Sequence, residues 1–284
     1  MASLAGLRVT GDRGKLRLMA ESPSNMRPAV RAASRRLVTV LLPWLALLAL
    51  WYGVRGSGLI SPALVPTPGE VLARFWALLW QGTLAVDIFM STQRVVIGVA
   101  LGIALAVPVG FLLGWYRQVR SFIDPLINFF RALPPIALIP LVIVYFGIGE
   151  PAKVVILFYA SFFAGVIVMY EGIAQISPIF VRVARALGAS DGEIFRKVIV
   201  PMAVPHVLTS LRVALGVAWA TLVASELIAA QQGLGAVIQD AAAFFQLDII
   251  YVGIICIGFI ALFMDIMLRA VTRRLVSWQE RIVA

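Results

Sequence analysis

The sequence predicts an all-α membrane protein with about six transmembrane helices. Hydrophobic residues make up 61% of the chain and charged residues 13%, whereas an ordinary soluble domain carries about 45–50% and about 25%. The mean hydropathy is +0.97. Apolar segments of roughly 20 residues, the length that crosses a bilayer as a helix, recur along the chain. Alternating strands of ~10 residues, the mark of a transmembrane β-barrel, do not.

The spans are expected in this order. The first covers about 37–52. Residues 68–80 are patterned as a short amphipathic helix, with Val71, Phe75, Leu78 and Leu79 on one side, lying at the membrane interface. The second span, about 87–116, is long enough to protrude or tilt. Its Gly98, Gly102, Gly110 and Gly114 form two GxxxG pairs that allow close helix packing. The third, about 122–146, is broken by Pro134, Pro135 and Pro140, which remove backbone donors. The fourth, fifth and sixth cover about 151–170, 205–229 and 249–271. Trp76, Trp80 and Trp115 fall near the expected interfaces, as belt residues do.

Basic residues orient these spans. Arg8, Arg13, Lys15, Arg17, Arg27, Arg31, Arg35 and Arg36 precede the first span, and Arg117 and Arg120 follow the second. Arg182, Arg185, Arg196 and Lys197 follow the fourth, and Arg269, Arg273, Arg274 and Arg281 end the chain. The alternate loops hold only Arg55, Arg74 and Lys153. The positive-inside rule then places both termini in the cytoplasm and accounts for the net charge of +10. The tail 1–36 is expected to be disordered and to serve topology and anionic lipid contact rather than nucleic-acid binding. It is not read as a cleavable signal peptide, because its apolar run starts too late. The expected division is therefore 1–36, basic cytoplasmic tail; 37–84, first span and amphipathic helix; 85–275, main transmembrane domain; and 276–284, cytoplasmic C-terminal tail. Cys256 is the only cysteine and His206 the only histidine. No intrachain disulfide, redox pair or His-based metal site is expected from them.

The segment 177–205, SPIFVRVARALGASDGEIFRKVIVPMAVP, is a polar island between two spans. Ser177-Pro178 reads as a helix start, an N-cap followed by Pro at the first position. Phe180, Val183, Ala184 and Leu187 then share one face at helical spacing. Gly188 sits where a helix end wants a left-handed residue. Ser190-x-x-Glu193 is a capping box leading into Ile194, Phe195, Val198 and Ile199, and Pro201 and Pro205 punctuate the entry to the fifth span. Two short helices with a tight elbow are predicted. Such an amphipathic helix either lies on lipid or fills a partner's groove.

In spacing, this segment resembles the cytoplasmic motif of membrane subunits of ATP-binding-cassette (ABC) transporters: Glu-Ala-Ala, three residues, Gly, nine residues, Ile-x-Leu-Pro. Arg182, Val183 and Ala184 occupy the triplet, Gly188 the glycine, and Val198, Val200 and Pro201 the ending. Arg182 departs from the family's Glu and Val183 from its first Ala. RALPPIALIPLVIVYFGIGE at 131–150 and ASELIAAQQGLG at 224–235 are similar to permeases for taurine, aliphatic sulfonates and nitrate. The resemblance covers roughly residue 85 to the C-terminus. It implies a type I ABC importer permease fold over 85–275, a second permease copy (a homodimer), two separate ATP-binding subunits and an extracytoplasmic solute-binding protein, all at the cell inner membrane. It also implies that ATP is used by the partner subunit; the chain contains no G-x-x-x-x-G-K-[ST] loop, and no cofactor bound by the chain itself is expected. The coupling role falls on Ala184, Gly188 and Pro201, with Phe180, Arg182, Leu187 and Phe195 as contacts inferred from the amphipathic pattern.

Ionisable residues inside a span are costly and face a cavity or a partner. Arg131 precedes the Pro134-Pro135 break, where a cation would attract an anion in a translocation path; pairing or snorkelling is the other reading. Asp124, two turns earlier, is too far for direct contact along the helix. Glu226 ends the fifth span, either in a gate, or against a docking binding protein, or simply at water. Asp265 and Arg269 have i,i+4 spacing and are expected to pair. Arg94 and Arg212 are expected to snorkel to the interface. No nucleophile elbow or metal-ligand spacing occurs, so an enzyme is not expected. An ion-coupled secondary transporter is the alternative function, though such proteins often show inverted repeats and midplane carboxylates.

Overall fold

The computed structural model describes residues 26–58, 61 and 64–276, with side chains from residue 41 onward except at Ala229. The chain divides into two units, Met1–Ile60 and Ser61–Ala284. The first contains α1 (Met26–Gly56), which starts well before the expected span and runs through Pro43. Its Leu41–Gly56 portion is apolar. Residues 1–25 of the basic tail, and 277–284 with Arg281, lie outside the described residues.

The second unit opens with α2 (Pro68–Trp80), held by a complete capping box. Glu70 N donates to Thr67 Oγ1 at 3.1 Å and Thr67 N donates to Glu70 Oε2 at 2.7 Å. Trp76 and Trp80 on it are exposed. The long α3 (Thr83–Trp115) follows a left-handed Gly82, then α4 (Arg117–Ala132), α5 (Pro135–Phe146) and α6 (Glu150–Ala174). Four helices in the described residues are long and apolar enough to cross a membrane, and the α4–α5 pair, bent by 91°, makes a possible fifth crossing.

The bend has a local cause. A residue before proline is driven out of the α region, and here two such residues are adjacent. Leu133 (φ −73°, ψ 121°) precedes Pro134, and Pro134 (φ −62°, ψ 127°) precedes Pro135. Two consecutive extended residues turn the axis, and Pro135 restarts the helix at its first position, where a missing N–H is harmless. The expected third span is therefore two helices at nearly a right angle. Pro140 lies inside α5 without ending it.

The glycines of α3 show that this bent pair crosses. A Cβ built on Gly98, Gly102, Gly110 or Gly114 would collide with Leu157, Ser161, Met169 or Ile173 of α6 respectively. Each pair is 59 positions apart, so α3 and α6 lie side by side and parallel. Residues 116–149 must then return the chain from the Trp115 end of α3 to the level of Arg94, about 31 Å for 21 residues at 1.5 Å each. The expected packing role of the two GxxxG pairs is thereby met.

Beyond α6 come α7 (Pro178–Ala186), α8 (Asp191–Ile194), a π-helical stretch Phe195–Ile199 and α9 (Val200–Ala229). The last three form one uninterrupted helix from Asp191 to Ile228. The second short helix expected after the elbow is thus the first turn of the fifth span. Pro201 sits at its start and Pro205 within it. A π-turn, which absorbs an extra residue, lies between the two helical parts. α9 runs antiparallel to α3 and α6, as the Ser91–Glu226 hydrogen bond and the close approach of Gly172 to His206 show. α10 (Leu234–Ala243) and α11 (Leu247–Leu275) complete the described chain. The core joins Val95, Val99 and Ala106 of α3, Leu157, Val166 and Ile167 of α6, and Ala214, Ala218, Trp219 and Leu222 of α9.

Candidate functional site

The two ends of this bundle carry different chemistry. At the Trp115 end, α7 closes in a complete Schellman turn. Ala189 N donates to Ala184 O at 3.0 Å and Gly188 N to Arg185 O at 2.9 Å, the 6→1 and 5→2 bonds that satisfy the last carbonyls. Gly188 takes φ +84°. The predicted second cap is also present: Glu193 N donates to Ser190 Oγ at 3.4 Å and Ser190 N to Glu193 Oε2 at 3.1 Å. Ser177 occupies the N-cap position of α7, but its side chain makes no capping bond. An Arg185–Asp191 ion pair at 3.0 Å spans the elbow.

The residues expected to form one contact face divide. Ala184 packs inward with Val181 against Met169, Ile173, Ile194, Ile199 and Ala203. Phe195 is also turned inward, edge-on to Phe111 and Trp115 at 5.6 and 5.9 Å. It also lines an open cavity with Asp191, Gly192 and Val200, so part of its ring stays accessible. Trp115 serves the same cluster rather than an open belt. Ile179, Phe180 and Val183 are about half exposed and Leu187 is 82% exposed. Arg182 and Pro201 are exposed as well. The elbow therefore presents an apolar patch beside arginines, without the carboxylate that Arg182 replaces.

At the opposite end lies a buried network that the sequence reading did not assemble. Arg94 of α3 is 2% exposed and Glu226 of α9 is 1% exposed. Arg94 Nη1 donates to Glu226 Oε1 at 2.5 Å and to Gln232 O at 2.7 Å. Its Nε and Nη2 form a two-pronged contact with Glu150, both at 2.6 Å. Lys153, also buried, reaches Glu150 at 3.0 Å. Ser91 Oγ lies 2.8 Å from Glu226 Oε1 and accepts from Leu234 N at 2.8 Å. Gly233 N donates to Asp87, and Gly235 N to Glu226, each at 2.8 Å. One guanidinium thus ties α3 to the start of α6 and to the turn between α9 and α10. A bidentate arginine–carboxylate fork is the geometry that makes such a buried charge tolerable. Gly233 and Gly235 are required by the close approach, since a Cβ on either would strike Glu226.

These positions correct three expectations. Arg94 does not snorkel, because two carboxylates from distant segments meet it inside the bundle. Glu226 does not end at water, and its carboxylate is not exposed for docking. Lys153 is a buried residue of α6, not a loop cation. The available signal was opposite charges near the same end of neighbouring antiparallel spans, each too costly to leave alone. Arg212 does not snorkel alone either: its Nε donates to Asp265 at 2.6 Å. The expected Asp265–Arg269 pair is present at 2.6 Å. Arg131 is exposed near the end of α4, just before the bend, and makes no ion pair among the described residues.

The comparisons with known proteins agree with this architecture. The model of the family "Binding-protein-dependent transport system inner membrane component" matches residues 98–277. A "probable ABC transporter permease protein" of Brucella abortus (strain 2308) is 48% identical over 81% of this chain and 91% of its own. The taurine transport system permease protein TauC of Escherichia coli (strain K12) is 37% identical over 87% and 92%. Among solved structures, an inward-facing MetNI methionine ABC transporter chain superimposes with a TM-score of 0.61 at 18% identity, covering 70% of this chain and 98% of that one; this shows the fold, that of a type I importer permease. The chain belongs to the family of binding-protein-dependent transport system inner membrane components and is a multi-pass permease subunit of an ABC importer.

Proposed function

We propose that this permease moves taurine or another small sulfonate inward across the cell inner membrane, with both termini cytoplasmic. The observation that carries the mechanism is the exposed α7 face of Ile179, Phe180, Val183 and Leu187, held rigidly by the Gly188 elbow. A contiguous exposed apolar patch ringed by polar residues marks a protein or membrane interaction site, and membership of an ABC permease family favours a protein partner here. Its proposed partner is a separate ATP-binding subunit, one for each of two permease copies. Hydrolysis there would pull on α7, and through its continuous connection via the elbow on α9. The name of TauC supplies the substrate class; bicarbonate, named for the permease CmpB of Synechococcus elongatus at 32% identity, and nitrate are the alternative small anions. A binding protein would deliver the solute at the Arg94 end, where the clasp fixes the α9–α10 turn. Glu226 then belongs to the gate by holding its parts together. Arg131, Pro134 and Pro135 are proposed to line the path, the bend exposing backbone polar groups beside a cation. The test is uptake of radiolabelled taurine into proteoliposomes holding the permease with its ATPase and binding protein. Uptake that requires ATP and the ATPase supports the reading. Uptake by the permease alone, driven by an ion gradient, overturns it.

A further inference from the structure

We propose that the groove between α9 and α11 is a binding site for one anionic phospholipid of the inner leaflet. At the end nearer the C-terminus of α11, a cavity of about 220 Å³ is lined by Arg212, Arg269, Arg273, Thr209 and Thr272, with Leu208. Asp265 pairs with Arg212 and Arg269. Three guanidiniums against that single carboxylate leave two positive charges. Both threonine hydroxyls donate to backbone, Thr209 to Pro205 O at 2.9 Å and Thr272 to Leu268 O at 2.8 Å. The donors offered to a ligand are therefore guanidinium groups, which match a phosphate oxygen pair.

A second cavity of about 340 Å³ shares Arg212 and its ion-pair partner Asp265 at its mouth and is lined further by Leu215, Gly216, Trp219 and Ala261. It extends away from the basic cavity along both helices. Trp219 lies seven residues beyond Arg212 and Ala261 eight before Arg269, roughly 10–12 Å deeper by helical rise. No side chain stands within 4 Å of a Cβ at Gly216, so the groove is open there. A charged head pocket continuous with an apolar slot fits a phospholipid and its acyl chain. A free oxyanion would use only the first. Basic pockets between spans on the cytoplasmic side favour anionic headgroups. The choice of leaflet rests on the orientation proposed above.

The test uses the full-length protein, purified in mild detergent after incorporation into phosphatidylcholine vesicles with and without phosphatidylglycerol. Lipid retained per protein is counted by native mass spectrometry. Wild type is expected to hold phosphatidylglycerol in preference to phosphatidylcholine. Arg273→Gln, which leaves both ion pairs of Asp265 intact, is expected to lower that preference about fivefold. Gly216→Leu, which fills the slot without changing charge, is expected to reduce retention also. Equal retention by wild type and Arg273→Gln overturns the site. Loss of binding on adding millimolar inorganic phosphate, with no effect of Gly216→Leu, replaces it with a free-oxyanion site. Retention does not depend on which leaflet the pocket faces, so the orientation and the site can fail separately.

Discussion

Arg94 and Glu226 stand 132 positions apart in sequence, yet their side chains meet at 2.5 Å in a region almost without solvent access. Neither charge is tolerable there alone, and the pair is stitched to Ser91, Glu150 and the backbone of the α9–α10 turn. Arg94→Met leaves Glu226 buried without its cation, which is expected to destabilise the protein by roughly 3–5 kcal/mol. Arg94→Met combined with Glu226→Gln should be markedly milder, since no buried charge is orphaned. Thermal aggregation midpoints of the purified variants check this; equal losses in single and double variants refute the coupling.

Glu150 is the accessible arm of the same network, its side chain 48% exposed while that of Arg94 is 3%. Glu150→Gln keeps an acceptor near Arg94 and Lys153, and water can reach the site. Its effect on the same midpoint is expected to be well below that of Arg94→Met. A loss as large would mean that Glu150, not Glu226, is the main partner.

The parallel contact of α3 and α6 depends on glycine. Gly98→Leu drives a side chain into Leu157 and is expected to cost about 1–3 kcal/mol by overpacking. Gly258 of α11 has nothing within 4 Å of a Cβ, so Gly258→Ala should be neutral or stabilising by up to ~1 kcal/mol. Expression level and thermal midpoint of the two variants should move in opposite directions or differ clearly.

Gly188 combines a positive φ with an open surrounding. Gly188→Val therefore acts through backbone strain, a left-handed conformation costing an L-residue roughly 1–2 kcal/mol, and not through a clash. The expected result is weakened pull-down of the ATPase subunit with insertion unchanged. Gly188→Asn, which tolerates that conformation better, should retain more. Normal pull-down by Gly188→Val would remove the elbow from the docking reading.

Arg131→Gln is expected to slow taurine uptake severalfold while leaving protein level unchanged, because Arg131 is exposed and makes no ion pair among the described residues. Uptake at the wild-type rate would return it to the structural reading, a snorkelling cation.

Much of this protein was written in short-range signals. The Ser190–Glu193 box, the left-handed Gly188, the Pro134-Pro135 break and the Asp265–Arg269 pair each involve residues within four positions, and each was legible. So were the crossings of the second unit and the family motif, which depend on composition and spacing. The tertiary structure decided what lies across helices. It packed Ala184 against the buried cluster while leaving Phe180 and Leu187, about one turn to either side, exposed, a division that periodicity alone leaves open. It joined α8 to α9, and it set α3 parallel to α6. Above all it brought Asp87, Ser91, Arg94, Glu150, Lys153 and Glu226 together. A charge in an apolar span announces that it needs a partner, because burial without one is prohibitive; which partner it finds depends on helix packing, and no local rule in the chain specifies that.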